Sequence, residues 1–484
     1  MQSSEHSYIE DDAEDKKSSV LFLLGSLGYE VEADRVARVS RNILKSDQIV
    51  EGISRMQFLP QKRSRMMYAA MIGNLERLHF IASLGARVNQ RTATGVTALY
   101  IACLHNHLEC ARLLCDRGAD LNLQRQSGWS ALMVACGKGH LDIMILLCER
   151  GASLNIQTVT EGVTVLYQAC AENHLECVRL LCDRGADLNL QTQSGATALM
   201  MACAEGYLDI ATLLCEKGAS LNLQKTDGAT ALYLACAFNH LECARLLCDR
   251  GADLNLQRQD GRTALMVACQ EGHLDIASLL CERGAVLNLQ TPVGVTALYT
   301  ACSRNHLECA RLLCDKGADL NMQMPDGATA LLMACEKGYL DIATLLCEKG
   351  ASLNLQKTDG ATALHWACQT NHLEFVRFLC NRGADLNLQM QRGSTALMIA
   401  SDKGYLDIAT LICERGVSLN LQMTGGATAL YWACHKKHLE CARLLCERGA
   451  DTLLSVDGQT PFAIASSIHG SKSRLAVFLC QYPH

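Results

Sequence analysis

The segment TALYLACAFNHLECARLLCDRGADLNLQ, from Thr230 to Gln257, contains two short apolar stripes at helical spacing. In the first stripe, Leu232, Ala235 and Cys236 follow the i, i+3, i+4 pattern of an amphipathic helix, and Thr230 is a suitable N-cap. A second stripe follows, and the glycine and LNLQ after it are typical of a helix stop and a hairpin arm. The segment therefore predicts a helix–turn–helix unit that ends in a β-hairpin loop.

This unit recurs along most of the 484-residue chain. A glycine followed by a TALY-like or TALM-like signature returns every 33 residues, with one step of 34 and a last step of 32, at Gly95, Gly128, Gly162, Gly195, Gly228, Gly261, Gly294, Gly327, Gly360, Gly393, Gly426 and Gly458. A degenerate unit, Met66 to Gln90, precedes them, which makes about thirteen units. Tyr-type and Met-type units alternate, so the effective module is about 66 residues long.

The periodicity predicts an all-α repeat solenoid with three regions. Residues 62–457 form the repeat array, residues 458–484 form a C-terminal capping repeat, and residues 1–61 form an acidic tail with a short helical cap. An alternative for residues 1–61 is a recruiting motif.

Two residue types occupy the end of the first helix in these units. One set of units has glycine and the other has asparagine, and both tolerate a left-handed backbone cheaply. The exception is Lys437, where we expect strain. The positions are Gly139, Gly206, Gly272, Gly338 and Gly404 in the first set and Asn106, Asn173, Asn239, Asn305 and Asn371 in the second.

Composition and charge narrow the classes of function. The formal net charge of −6 argues against nucleic acid as a partner. The apolar run from Val20 to Tyr29 is too short to span a bilayer, and the acidic start does not match a signal peptide. Without a secretion signal, the 27 cysteines indicate reduced thiols rather than a disulfide scaffold. We expect a cytoplasmic monomer, with the nucleus as the alternative location.

The segment DGRTALMVACQEGHLDIASLLCERGAVLNLQ, from Asp260 to Gln290, resembles an ankyrin repeat. The resemblance implies stacked units whose first helices and hairpin tips face the concave side, and a non-catalytic scaffold or adaptor that binds a protein there. The alternative is the substrate-recognition subunit of a larger machine, such as a ubiquitin ligase, recruited through the N-terminal region. The T-P-L-H motif of the family is altered here, since its histidine survives only as His365 and its proline only as Pro461.

Cysteine and histidine in the repeats raise a different possibility, a zinc site or a thiol enzyme. Cys236, His240, Cys243 and Cys248 lie within one unit, but Phe375 takes the register of Cys243 in another unit and cannot bind zinc. Cysteines five residues apart on one helix also point in different directions. No orienting acid is evident beside the Cys-His pairs. We expect buried thiols, no metal, no cofactor and no catalytic residues.

Positions that vary between units are the candidates for partner contact. Phe238 lies at the end of a first helix, the tip residues lie in the loops, and Trp366 and Trp432 share one register of the first helix. The tryptophans could be interface anchors, and the alternative is packing between adjacent first helices. The candidate set is Arg125, Phe238, Arg258, Trp366, Met390, Met423 and Trp432.

The ankyrin resemblance also implies a modification. Hairpin asparagines of such repeats can be substrates of an asparaginyl hydroxylase that favours a leucine eight residues earlier. Leu114 before Asn122 and Leu247 before Asn255 fit that spacing. The alternative is that both asparagines only hold the hairpin turn.

Overall fold

A buried threonine begins the first helix of nearly every repeat. Thr230 has extended backbone angles, and its Oγ1 accepts a hydrogen bond from the backbone N–H of Tyr233 at 3.1 Å. This cap satisfies one of the donors that a helix start leaves without a partner. The first helix then runs from Ala231 to Ala237, and the second from Leu241 to Asp249. The N-cap assigned to Thr230 from the sequence is confirmed.

The computed structural model describes residues 65–480, and the expectations for residues 1–61 lie outside them. The chain forms two compact units that divide after Thr226. Within the described residues there are 26 helices, arranged as consecutive pairs. The all-α repeat solenoid predicted from the periodicity is confirmed.

The first compact unit contains five helix pairs. They are α1 (Arg65–Met71) and α2 (Leu75–Ser83), α3 (Ala98–Leu104) and α4 (Leu108–Asp116), α5 (Ala131–Gly137) and α6 (Leu141–Glu149), α7 (Val165–Ala171) and α8 (Leu175–Asp183), and α9 (Ala198–Glu205) and α10 (Leu208–Glu216). Each first helix packs against the first helix of the next pair and against its own second helix.

The second compact unit contains eight pairs that pack in the same way. They are α11 (Ala231–Ala237) and α12 (Leu241–Asp249), α13 (Ala264–Glu271) and α14 (Leu274–Glu282), α15 (Ala297–Ser303) and α16 (Leu307–Asp315), α17 (Ala330–Lys337) and α18 (Leu340–Glu348), α19 (Ala363–Gln369) and α20 (Leu373–Asn381), α21 (Ala396–Lys403) and α22 (Leu406–Glu414), α23 (Ala429–His435) and α24 (Leu439–Glu447), and α25 (Pro461–His469) and α26 (Arg474–Leu479).

The core runs between the two helices of each pair. Leu232, Ala235 and Cys236 of the first helix and Cys243 and Leu247 of the second are all buried. These are the residues of the two apolar stripes, so the helical periodicity identified the core correctly. Cysteine serves here as a small apolar side chain.

The end of each first helix has the left-handed backbone predicted for it. Asn239 has φ of 63° and Gly272 has φ of 76°. Lys437 takes the same conformation, with φ of 65°, although a lysine there costs about 1–2 kcal/mol. The strain expected at Lys437 is therefore confirmed.

The loops between repeats are tight turns stitched to their neighbours by a glutamine. The backbone N–H of Arg258 donates to the carbonyl of Arg262 at 3.0 Å and closes one turn. The side chain of Gln257 donates to the carbonyls of Gly261, at 2.8 Å, and of Gln290 in the next loop, at 3.1 Å. Strand pairing in the described residues is limited to two isolated antiparallel bridges, Gln157 with Thr164 and Val456 with Gln459. Side chains therefore do much of the work that a β-hairpin ladder would do.

The second helices carry ion pairs on their exposed ends that explain the two-repeat period. Each Tyr-type second helix in the best-matched units ends in aspartate, which meets a cation of the next Met-type repeat, as in Arg283 with Asp249 at 2.7 Å. Each Met-type second helix ends in glutamate, and the pair with the following arginine is longer, as in Arg382 with Glu348 at 3.8 Å. These exposed pairs contribute little stability each, about 0–1 kcal/mol. They do make the two kinds of junction chemically different.

Candidate partner-binding surface

One residue of each of five loops lies against the first helices. It stands three positions before the glycine of the turn, and we call it the wedge residue; the five are Arg125, Arg258, Lys357, Met390 and Met423. All of them are half-buried. The first helices together with the wedge residues are called the inner-edge surface below.

Arg125 and Arg258 make the same contact in different compact units. Nη1 of Arg125 donates to Tyr100 Oη at 3.1 Å, and its guanidinium lies 5.2 Å from the centre of the tyrosine ring. Nη1 of Arg258 donates to Tyr233 Oη at 3.1 Å, and its guanidinium lies 5.1 Å from that ring. The tyrosine belongs to the first helix of the preceding repeat, so each arginine bridges a loop and a helix. Such a held cation is preorganised for a partner.

Arg258 has a second set of partners that raises the local charge density. Its Nη2 forms an ion pair with Asp227 at 3.1 Å, and its Nη1 lies 3.8 Å from Asp260. The hydrogen bond to Tyr233 raises the pKa of Arg258, so the guanidinium is charged at any physiological pH. Two carboxylates and one guanidinium leave this part of the surface acidic.

The two tryptophans are half-buried rather than fully exposed, and each contacts a neighbouring loop or helix end. Trp366 lies under Lys357, whose Nζ is 5.8 Å from the ring centre. Nε1 of Trp432 donates to Sδ of Met423 at 3.2 Å, and Lys436 Nζ lies 6.0 Å from its ring centre. Both interpretations made from the sequence therefore have a structural basis, because each ring packs locally and still presents part of its surface.

Phe238 and Met390 complete the candidate set. Phe238 is the C-cap of α11, and 58% of its surface is exposed, which is far more than its apolar neighbours expose. Met390 is a half-buried wedge residue whose backbone N–H donates to the carbonyl of Ser394 at 2.9 Å. Among the seven candidates only Arg125 belongs to the first compact unit, and the other six belong to the second. The sequence offered no sign of this division.

The two asparagines proposed for hydroxylation have a structural role. Oδ1 of Asn122 accepts the backbone N–H of Ser153 at 2.8 Å, and Oδ1 of Asn255 accepts that of Val286 at 2.9 Å. Each bond joins a loop to the next loop within one compact unit. Asn122 is exposed and Asn255 is half-buried. Their modification stays a prediction.

The histidine before each second helix is used for packing between repeats. Nε2 of His306 lies 2.9 Å from the carbonyl oxygen of Gln270, 36 residues earlier, so this nitrogen carries the proton and donates. Nε2 of His438 makes the same bond to Asp402 at 3.0 Å. A ring nitrogen that donates to a carbonyl cannot also bind zinc or accept a proton from a thiol. The geometry thus supports a structural function for this histidine.

The thiols in the Cys-His pairs also have other partners. Cys309 forms a hydrogen bond with Cys269, and Cys177 forms one with Cys136, in each case joining consecutive repeats. Cys136 also donates to the carbonyl of Val165 at 3.4 Å. The two cysteines of each pair occupy different positions of the repeat, so the sequence periodicity, which compares equivalent positions, does not reveal them.

No disulfide joins any of the 27 cysteines, all of which lie within residues 65–480. In the same range there is no group of three or more His, Cys, Asp and Glu side chains placed to hold a metal ion. Nor does this range contain a helix long and apolar enough to cross a bilayer.

Comparison with known proteins follows the repeat pattern closely. The family model for ankyrin repeats (3 copies) matches residues 66–158, 154–225, 218–291, 286–357, 351–423 and 415–482. No curated protein matches the chain. Among solved structures, the crystal structure of the human ASB11 ankyrin repeat domain is similar, with 28% sequence identity over 46% of this chain and 99% of that chain, and a TM-score of 0.41.

Proposed function

Because this chain belongs to the ankyrin repeat family, we propose that it binds another protein through its inner-edge surface and acts as a scaffold or adaptor without catalysing a reaction. Ankyrin repeats are a general protein–protein interaction module. The proposal concerns which surface of this chain is used and what kind of partner surface it fits.

One observation carries the proposal, the contrast between two adjacent residues in each loop. Gln257, Gln356 and Gln389 are constant and make the same two hydrogen bonds that join successive loops. The next residue is the wedge residue, and it changes from arginine to lysine to methionine. Residues that hold the stack are thus fixed, and the residues beside them on the inner edge are free to differ. A surface that varies on a fixed frame is suited to specific binding.

The chemistry of the inner edge differs along the second compact unit. Near its start lies the charged cluster of Arg258. Further along, Met390, Met423, Trp366 and Trp432 present large apolar groups. Methionine side chains adapt to irregular partners, and tryptophan is enriched at interface hot spots. A partner with an apolar segment next to a charged one fits this order.

Affinity capture with the full-length protein tests the proposal. We expect the wild-type protein to retain a specific partner, and the Trp366→Ala/Trp432→Ala variant to bind that purified partner at least about tenfold more weakly, since a hot-spot residue contributes about 2 kcal/mol or more. The matched control is Asp249→Ala/Arg283→Ala, which removes an exposed ion pair of the second helices instead. Thermal unfolding of each variant checks that it is folded.

The result that contradicts the proposal is equal binding by the tryptophan variant, or greater loss in the control. A version lacking residues 1–61 separates the two functional alternatives. Partner binding that survives this deletion, while other machinery no longer co-purifies, favours a recognition subunit over a simple scaffold.

We also propose where and in what form the protein works. The unpaired thiols fit a reducing compartment, which we take to be the cytoplasm, with the nucleus as the alternative. We propose that it acts as a monomer. Size-exclusion chromatography with light scattering, and imaging of the tagged full-length protein, check both points.

A further inference from the structure

The last repeat contains a cavity that none of the preceding functions uses. It has a volume of about 530 Å³ and lies where α24 begins, beside the turn between α25 and α26. Lys437, His469, Lys472, Ser473 and Arg474 line it, together with Leu439. It lies within the second compact unit and away from the wedge residues.

The lining of this cavity is cationic. Lys437, Lys472 and Arg474 are exposed, and within residues 65–480 none of them forms an ion pair with a carboxylate. No acidic side chain lines the cavity. His469 is held in place, because its Nε2 lies 3.0 Å from the carbonyl oxygen of Cys434 and 3.2 Å from that of His435. Three cations of like charge converge here without compensation, although the chain as a whole has a net charge of −6.

The backbone of Lys437 gives independent support. It has φ of 65°, at a register where the preceding repeats have glycine or asparagine. Either of those residues would remove the strain, and packing does not require a lysine at a position that is exposed. Strained residues are often retained where their side chains have a function. The lysine side chain is what this position gains in return for the strain.

We propose that this cavity binds the phosphate group of a phosphorylated serine or threonine on a protein partner. A phosphate monoester carries a charge of about −1.5 to −2 at neutral pH and offers three acceptor oxygens, so it can use three cationic donors at once. A carboxylate carries a single charge and uses fewer. The hydroxyl of Ser473 supplies a further donor to the site.

A membrane surface fits these observations less well. Lipid-headgroup recognition by surface charge relies on clusters of about four to eight Lys and Arg residues. Here there are three, and they line a cavity instead of a flat face. The negative net charge also opposes approach to an anionic bilayer.

An oriented peptide library with a fixed central phosphoserine and mixed flanking residues tests the assignment on the full-length protein. The same library without phosphate is the matched probe. We expect retention of the phosphorylated library only, weakening as salt is raised. For a peptide selected from it, the Lys472→Gln/Arg474→Gln variant should bind at least about tenfold more weakly, because it loses two charge-assisted contacts. The control is Lys316→Gln, outside the cavity, which should bind like the wild type.

The Lys437→Asn variant provides a second, opposite readout. It should unfold at a higher temperature, because asparagine accepts the left-handed backbone, and yet bind the peptide more weakly. Unchanged affinity in this variant and in the double variant overturns the proposal. So does equal retention of both libraries, equally tight binding of inorganic phosphate alone, or preference for vesicles that contain a phosphoinositide. Since the site is separate from the inner edge, capture through Trp366 and Trp432 can succeed or fail independently.

Discussion

Gly272 lies directly beneath the ring of His306 from the next repeat. The ring nitrogen Nε2 lies 2.9 Å from the carbonyl oxygen of Gln270, and a Cβ added to Gly272 would be 2.5 Å from Nδ1. The same clash would occur at Gly73 with His107. Glycine at these helix ends therefore serves two purposes, a left-handed backbone and space for the histidine.

Asparagine at the helix end changes how the following histidine binds. After Asn239, the ring of His273 contacts the carbonyl of Cys236 through Nδ1, at 3.0 Å, instead of through Nε2. The alternation of Gly and Asn is thus linked to two orientations of the histidine ring. It is a relationship between repeats and not a property of either one.

Replacing Gly272 with alanine should destabilise the protein by more than the backbone penalty alone. The left-handed conformation costs an alanine about 1–2 kcal/mol, and displacement of the His306 ring adds about 0.5–1.5 kcal/mol. Gly284→Ala is the matched control, since Gly284 has φ of 85° and no neighbour within 4 Å of an added Cβ. Urea denaturation compares the two variants. Equal losses of stability would show that the ring contact has no energetic effect.

His365 should make the stability of the protein depend on pH. Burial lowers its pKa, and the backbone N–H of Thr362 donates to its Nδ1 at 3.2 Å, an interaction that requires the neutral ring. In the unfolded chain a histidine binds a proton below about pH 6.5. The unfolded state then holds more protons, so the stabilising contribution is complete above that pH and is lost as the pH falls through about 6.5 toward the lower folded-state pKa.

The variant His365→Tyr removes this dependence, because Tyr233 and Tyr431 occupy the same register in other repeats. On acidification from about pH 7.5 to 5.5, the wild type should lose up to about 1 kcal/mol more of its unfolding free energy than the variant. Urea midpoints at both pH values measure this. Parallel losses in the two proteins would be inconsistent with a buried neutral imidazole.

Thiol labelling under native conditions should be confined to one cysteine. Cys480 is the exposed cysteine among the 27, all of which the structure describes. Burial raises the pKa of Cys248 to about 11, and a thiol at such a pKa is almost entirely protonated and unreactive near neutrality. Alkylation followed by mass spectrometry should find about one fast equivalent, absent from Cys480→Ser. Rapid labelling of Cys243 or its equivalents would contradict a core function for those residues.

Asparagine hydroxylation should be greater at Asn122 than at Asn255, since Asn122 is the more exposed. An internal control is Asn420, which is also exposed and hydrogen-bonded to the next loop but has Ile412 eight residues earlier. After incubation with an asparaginyl hydroxylase, peptide mass spectrometry should find an added oxygen at Asn122 and none at Asn420. Equal modification of Asn122 and Asn420 would show that the leucine is not the determinant.

Local chemistry explains how far the sequence predicts this structure. A threonine cap, an apolar stripe and a Gly or Asn stop each act within one repeat, so the bounds of the helices around Thr230 and Asn239 follow from the residues themselves. The contacts of Arg258 with Tyr233, 25 residues earlier, depend on how one loop stacks over the preceding helix. No pattern within a single repeat contains that information.

The cationic cavity shows the same limit. The sequence marks Lys437 as a departure at the helix stop, but the segment from His435 to His438 is by itself typical of a solvated turn. Lys472 and Arg474 lie more than thirty residues further along, and only the stacking of the last repeat brings them beside Lys437. A signal is present in the sequence, namely one lysine where every sibling position has glycine or asparagine.

The alternating ion pairs at the ends of the second helices give the array a parity. A junction from Tyr-type to Met-type has a short Asp pair, as at Asp249 and Arg283, and the reverse junction has a longer Glu pair. Loss of a single repeat would bring two like repeats together and create a junction that the array does not otherwise contain. Loss or gain of two repeats would reproduce existing junctions throughout. Changes in copy number by even steps are therefore the ones that this architecture accommodates without new contacts.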